Sequence, residues 1–210
     1  MQRKHLTSVP RVALAVAAIL VGCATAPNDA EVNAKAASML KASFKEQGQA
    51  KLDRLDQDDT QKVCSEYAGR APPKDVAERI EKANLATIRW PTDGKLLGDW
   101  RNGEKIAQEG RGMQYSDDPK GPVGANCYAC HQLAPQELSF GTIGPSLYQF
   151  GKLRGYTDEI RKYTYGKIYN ADAYSACTNM PRFGHKGILT EQQVKDVVAL
   201  LMDPASPVNK

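Results

Sequence analysis

Cys127-Tyr128-Ala129-Cys130-His131 is the stretch on which the reading of this 210-residue sequence turns. Two thiols three positions apart, followed at once by a histidine, form the Cys-x-x-Cys-His pattern of a c-type haem attachment site. The thiols can reach the two vinyl groups of one haem, and the histidine falls beneath the iron. Five consecutive residues thus offer two covalent tethers, Cys127 and Cys130, and one axial ligand, His131. The pattern occurs once, so one covalently bound haem c is expected.

Two other uses of a Cys-x-x-Cys compete with this one. A redox pair needs a strand-to-helix setting and makes no demand on the histidine. Here Gly121-Pro122-Val123-Gly124-Ala125-Asn126 precedes the motif, and that is loop chemistry. A structural zinc needs further Cys or His ligands. Cys64, Cys177 and His185 are the remaining candidates once the N-terminus is set aside.

The N-terminus speaks to the compartment. Arg3, Lys4 and Arg11 precede an apolar run, Val12 to Val21, that is short for a bilayer span. Residues 1–22 therefore read as a secretory signal. Leu20-Val21-Gly22-Cys23 resembles a bacterial lipobox, in which Cys23 is lipidated after cleavage in front of it. Cleavage after Ala24-Thr25-Ala26 is the alternative, and it would leave Pro27 at the first mature position. A periplasmic protein, lipid-anchored through Cys23, is expected. Three of the 28 Lys/Arg and none of the 24 Asp/Glu lie in the signal, so the balance drops from +4 to +1 on its removal. The apparent basicity belongs to export and gives no reason to expect a nucleic-acid partner.

Residues 23–90 read as a helical extension. Ala30 to Leu55 has a thin apolar stripe (Val32, Ala36, Met39, Leu40, Phe44) at helical spacing, predicting a long polar helix that acts as a spacer or touches a partner. Asp58-Asp59-Thr60 is cap-like before a short helix over Gln61–Tyr67, and Asp75–Lys82 reads as another. The segment carries no phosphate-binding glycine loop, Ser/His/Asp constellation or repeat.

Trp90-Pro91-Thr92-Asp93-Gly94 is a turn and the expected boundary of a second domain, 91–210. Apolar and small residues three and four apart predict an amphipathic helix over Leu97–Glu109, whose glycines let another helix cross closely. Thr190 and Gln193 form a capping box at the start of a last helix with Val194, Val197, Val198, Leu201 and Met202 on its apolar face, the expected partner. The order helix, Cys-x-x-Cys-His, Gly-Pro-x-Leu, helix, Met-Pro loop, helix resembles the class I cytochromes c from about Trp90 to Pro204. The implied fold is all-α, a class I cytochrome c-like domain carrying an N-terminal helical extension. In that family the proline carbonyl of Gly144-Pro145-Ser146-Leu147 accepts a hydrogen bond from the proximal imidazole, so Pro145 would orient His131.

Met180, followed by Pro181 in a polar loop, is the candidate sixth ligand, because helical packing does not account for a methionine there. Met202, Met39 and Met113 sit in less suitable places, and His185 is the alternative. Histidine/methionine ligation fills both axial positions and favours the ferrous state, which points to electron transfer. Cys64 and Cys177 remain. An even pair in an exported protein reads as a disulfide, with a free thiol active in sulfur chemistry as the alternative. Five tyrosines from Tyr156 to Tyr174 read as core and crevice packing, some of them available to a partner.

Cys177-Thr178-Asn179-Met180-Pro181-Arg182-Phe183-Gly184-His185-Lys186-Gly187-Ile188-Leu189-Thr190 closely resembles the C-terminal signature of the SoxX family, with Gly141 to Leu147 and Gly98-Asp99-Trp100 in support. The family supplies the monohaem subunit of the SoxAX cytochrome of thiosulfate oxidation. The resemblance implies an electron-transfer subunit in a heterodimer with a SoxA-like haem subunit, where thiosulfate is joined to a carrier-protein cysteine (L-cysteine S-thiosulfotransferase chemistry). Electrons would leave through this chain to a downstream acceptor cytochrome. No catalytic residue is assigned here, since the implied chemistry occurs on the partner. The alternative is an independent c-type cytochrome, diffusible or membrane-tethered, shuttling electrons. A haem sensor or peroxidase would need an exchangeable ligand in place of Met180.

Overall fold

The structure, a computed structural model, describes residues 28–67 and 69–210. The expected signal segment and Cys23 lie outside the described residues. Helices make up the regular structure; the β pairing among the described residues is an isolated bridge between Gln47 and Ala50. None of the described helices is long and apolar enough to cross a membrane. Residues Lys41–Lys210 form one compact unit, and a separate unit ends at Leu40.

Helix α1 (Asp29–Ser43) buries none of its residues. The helix expected to run to Leu55 ends at Ser43. The reason lies at Gly48, whose φ of +54° belongs to a left-handed turn closed by reciprocal Gln47 and Ala50 hydrogen bonds of 3.1 and 2.9 Å. Glycine takes that conformation without steric cost. The turn leads into a short 3₁₀ segment, Leu52–Leu55. Gln49 Nε2 donates to the Gln114 carbonyl at 2.8 Å and an Arg54 guanidinium nitrogen to that of Met113 at 2.7 Å. The segment is thereby strapped to the loop ahead of the Cys-x-x-Cys-His motif.

Helix α2 (Asp59–Tyr67) starts with a reciprocal cap. Gln61 N–H donates to Asp58 Oδ1, and Asp58 N–H donates to Gln61 Oε1, both at 3.0 Å. Two otherwise unpaired donors are satisfied this way. Helix α3 (Lys74–Leu85) turns Val76, Ile80 and Asn84 inward. Asn170 Nδ2 donates to Asn84 Oδ1 at 2.9 Å, and Asn84 Nδ2 donates to Thr60 Oγ1 at 2.9 Å. This polar tie joins α2 and α3 to the chain beyond Tyr169, so the later part of the extension packs within the same compact unit as the motif.

Helix α4 (Trp100–Gln108) starts three residues after the expected Leu97, because Asp99 caps it by accepting from Arg101 N–H at 2.9 Å. Gly98 and Asp99 run extended along α7 (Glu191–Met202), donating to the Lys195 carbonyl and the Asp196 carboxylate at 2.9 Å each. The expected pairing of these two helices is present. A side chain at Gly103 would start 2.1 Å from the Asp196 carbonyl oxygen, so the crossing needs glycine there. Helix α7 opens with the Thr190–Gln193 capping box and buries Val194, Val198, Leu200 and Met202 completely. Each such side chain contributes about 1.5–3 kcal/mol of transfer free energy, which makes α7 the spine of the core.

Helices α5 (Phe150–Arg154) and α6 (Asp158–Tyr169) close the core beside α7. Of the tyrosine cluster, Tyr165 is fully buried and donates its hydroxyl to the Arg89 carbonyl at 3.1 Å, with Trp90 and Tyr169 rings alongside. Tyr163 and Tyr174 meet edge to face.

Candidate haem-binding site

The Cys-x-x-Cys-His segment hangs from the end of α4. Ala125 N–H donates to the Ile106 carbonyl and Asn126 N–H to that of Glu109, both at 2.9 Å. Asn126, at φ +45°, turns the chain into a 3₁₀ turn, Cys127–Ala129, that His131 N–H closes onto the Cys127 carbonyl at 2.9 Å. Asparagine tolerates this left-handed conformation better than most residues. The returning loop is stitched to the same turn, with Gly141 N–H on Tyr128 O at 2.8 Å and Gly144 N–H on Cys130 O at 2.9 Å.

These bonds bring the Gly-Pro segment under the histidine. His131 Nδ1 lies 2.7 Å from the Pro145 carbonyl oxygen. A carbonyl can only accept, so Nδ1 carries the proton and Nε2 keeps its lone pair for a metal. The ring packs flat on the chain: a Cβ at Gly144 would sit 2.2 Å from His131 Cε1 and 2.5 Å from Nδ1. Sequence reasoning named Pro145 for this contact and passed over Gly144, whose role is space.

Cys127 and Cys130 are free and half-buried. Cys127 packs against the core, and burial pushes its thiol up to about 12. A redox Cys-x-x-Cys needs a thiol with a depressed pKa, and this one is shifted the other way. The preceding chain is a loop, not a strand. Among the described residues no cluster of three His, Cys, Asp or Glu is placed to hold a metal ion, so the zinc reading has no geometric support either. Two uncommitted thiols and an imidazole with its outer nitrogen held fit a covalently attached haem, with Cys127 and Cys130 as tethers and His131 as iron ligand. Haem bound there supplies a one-electron iron couple.

The Met180 loop lies beyond the 3₁₀ turn Ala171–Ala173. Met180 is half-buried and packs against the same core as Cys127, and its N–H donates to Thr178 Oγ1 at 3.3 Å. Cys177, three residues earlier, is joined to Cys64 of α2 by a disulfide. Ala176 N–H donates to Glu81 of α3 at 3.1 Å. His185, the alternative ligand, is half-buried, and its backbone N–H donates to Tyr169 O at 2.9 Å. Burial first, then the charges of Arg182 and Lys186, lower its pKa.

Arg182 is assigned no task of its own by sequence reasoning. It is 7% exposed, with one guanidinium nitrogen 2.6 Å from Asp58 and Nε 3.5 Å from Asp172. The available hint was a charged residue beside Met-Pro; its partners, 124 and 10 positions away, could not be read from the sequence.

A helical fold that holds a Cys-x-x-Cys-His turn over a proline carbonyl defines a c-type cytochrome. Residues 102–203 match the cytochrome c family, so the chain carries a cytochrome c domain. It is 42% identical over 156 residues to an uncharacterized lipoprotein of Aquifex aeolicus (strain VF5), the match covering 73% of each chain.

Proposed function

We propose that the chain is a six-coordinate, monohaem electron-transfer subunit of a periplasmic sulfur-oxidising complex of the SoxAX kind, tethered through a lipid on Cys23. Electron transfer is the family's function. The observation that carries the finer ligand assignment is the half-buried Met180 on a loop pinned by the Cys64–Cys177 disulfide. A methionine and a histidine on the two axial positions leave no open site for oxygen or peroxide, and the neutral thioether biases the iron toward the ferrous state.

The thiosulfate-linked role rests on the likeness of residues 177–190 to the SoxX signature. In that role a SoxA-like haem subunit performs the conjugation of thiosulfate to a carrier cysteine, and this chain takes the electrons on to an acceptor cytochrome. The lipid tether draws support from the lipobox-like Leu20 to Cys23 and from the relative's description as a lipoprotein.

Affinity purification of the tagged full-length precursor from its native cell tests the whole reading. The expected result is a membrane-associated haem protein that co-elutes with a second cytochrome and supports thiosulfate-dependent reduction only with it. A monomer that exchanges electrons with an oxidase and ignores thiosulfate would establish the independent shuttle instead. Cys23→Ser should move the protein to the soluble fraction.

A further inference from the structure

We infer that Asp58 is a positioning residue for the Met180 thioether, holding the iron-binding loop through Arg182. This rests on Met180 being the sixth ligand. Its own ground is the arrangement of fixed points around that residue. The Cys64–Cys177 disulfide attaches the loop three residues before Met180, and the Asp58–Arg182 pair at 2.6 Å attaches it two residues after. Both attachments come from one rigid element, since Cys64 lies within α2 and Asp58 is its N-cap.

The second attachment is built as a load-carrying contact. Arg182 is buried, and Asp58 Oδ2 is also 2.6 Å from Lys186 Nζ, while Asp58 Oδ1 is taken by Gln61 N–H. Lys186 N–H in turn bonds the Arg182 carbonyl at 2.9 Å. The residues after Met180 are therefore folded into a short turn whose two cations share one carboxylate. Asp172, at 3.5 Å from Arg182, is the more distant of the two acids. A charged pair this short and shielded is stronger than an exposed one.

A thioether is a neutral, weak ligand, so its occupancy of iron depends on how seldom its loop swings away. A loop pinned on both sides of the ligand opens less often than one pinned on one side. Removing the Asp58 charge releases one pin and leaves the disulfide in place.

The test uses the haem-loaded protein and imidazole, which reaches ferric iron only when Met180 has left. Asp58→Asn keeps a good N-cap side chain on α2 and removes the charge. It is expected to raise the limiting rate of imidazole binding at least tenfold and to speed amide exchange over residues 176–183. Asp58→Glu is expected to restore most of the slow rate. Val198→Ala, a core truncation in α7, is expected to lower global stability and leave the rate unchanged. An unchanged rate in Asp58→Asn, with the long-wavelength methionine–iron band present in wild type, would overturn the inference alone. A wild type lacking that band would overturn the Met180 assignment and the inference with it. If Asp58→Asn does not fold, Lys186→Gln serves, since that side chain is 40% exposed; it should raise the rate about threefold, and no change would overturn the proposal.

Discussion

The imidazole of His131 is gripped from two sides, its Nδ1–H donating to the Pro145 carbonyl at 2.7 Å and its ring face lying on Gly144. A methyl group at position 144 would meet three ring atoms between 2.2 and 2.8 Å away. Gly144→Ala must therefore push the histidine off its carbonyl or shift the loop. Overpacking of this kind costs about 1–3 kcal/mol, and the displaced ring loses the bond that orients Nε2. The expected outcome is a lower denaturation midpoint together with incomplete haem loading. Haem-to-protein absorbance ratios on equal amounts of purified protein check it.

The Cys64–Cys177 disulfide spans a sequence separation of 113 residues. Cross-links over long segments restrict the unfolded chain most, and losing one costs about 2–5 kcal/mol. The double substitution Cys64→Ser and Cys177→Ser should lower unfolding free energy by that amount and leave the haem motif loaded. Thiol titration of denatured, unreduced wild-type protein should find neither cysteine free.

The motif was legible because it is a local pattern with its own chemistry, Cys127 to His131 in five residues, and so were the Thr190–Gln193 cap and the close helix crossing at Gly103. Pro145 was legible only through resemblance, since nothing in the chain between it and His131, 14 positions earlier, says that the chain folds back. The break after Ser43 escapes the periodicity, which continues through Phe44, while the turn at Gly48 packs against Tyr115, whose carbonyl leaves no room for a side chain there. Long-range charge pairing is the least legible layer. Asp58 reads equally well as a simple cap, and only the folded chain brings Arg182 and Lys186 to it.

Met180 and His185 compete for one role and can be separated directly. Met180→Ala should abolish the long-wavelength charge-transfer band of the ferric protein, turn the iron high-spin and lower its potential, because the soft thioether that favours ferrous iron is gone. His185→Ala should leave the band intact. The reverse pattern would make the histidine the ligand.

Acidification should act through Asp58 and Asp172 with opposite signs. Burial alone would raise the Asp58 carboxyl, but hydrogen bonds from Lys186, Gln61 N–H and Arg182 outweigh it and hold the group well below the usual carboxylate range. A depressed folded pKa contributes stability that is present above the unfolded value of about 3.9 and is lost as pH falls toward the folded one. Asp172 is shifted upward, burial outweighing the Arg182 charge. Its contribution is full below about 3.9 and is lost as pH rises through the folded value. Denaturant unfolding measured between pH 6 and pH 2 should thus show wild-type stability falling below about pH 4, with a shallower fall in Asp58→Asn. Asp172→Asn should instead flatten the profile above that point. An Asp58→Asn profile that runs parallel to wild type throughout would mean that Arg182 and Lys186 do not hold the carboxylate in solution.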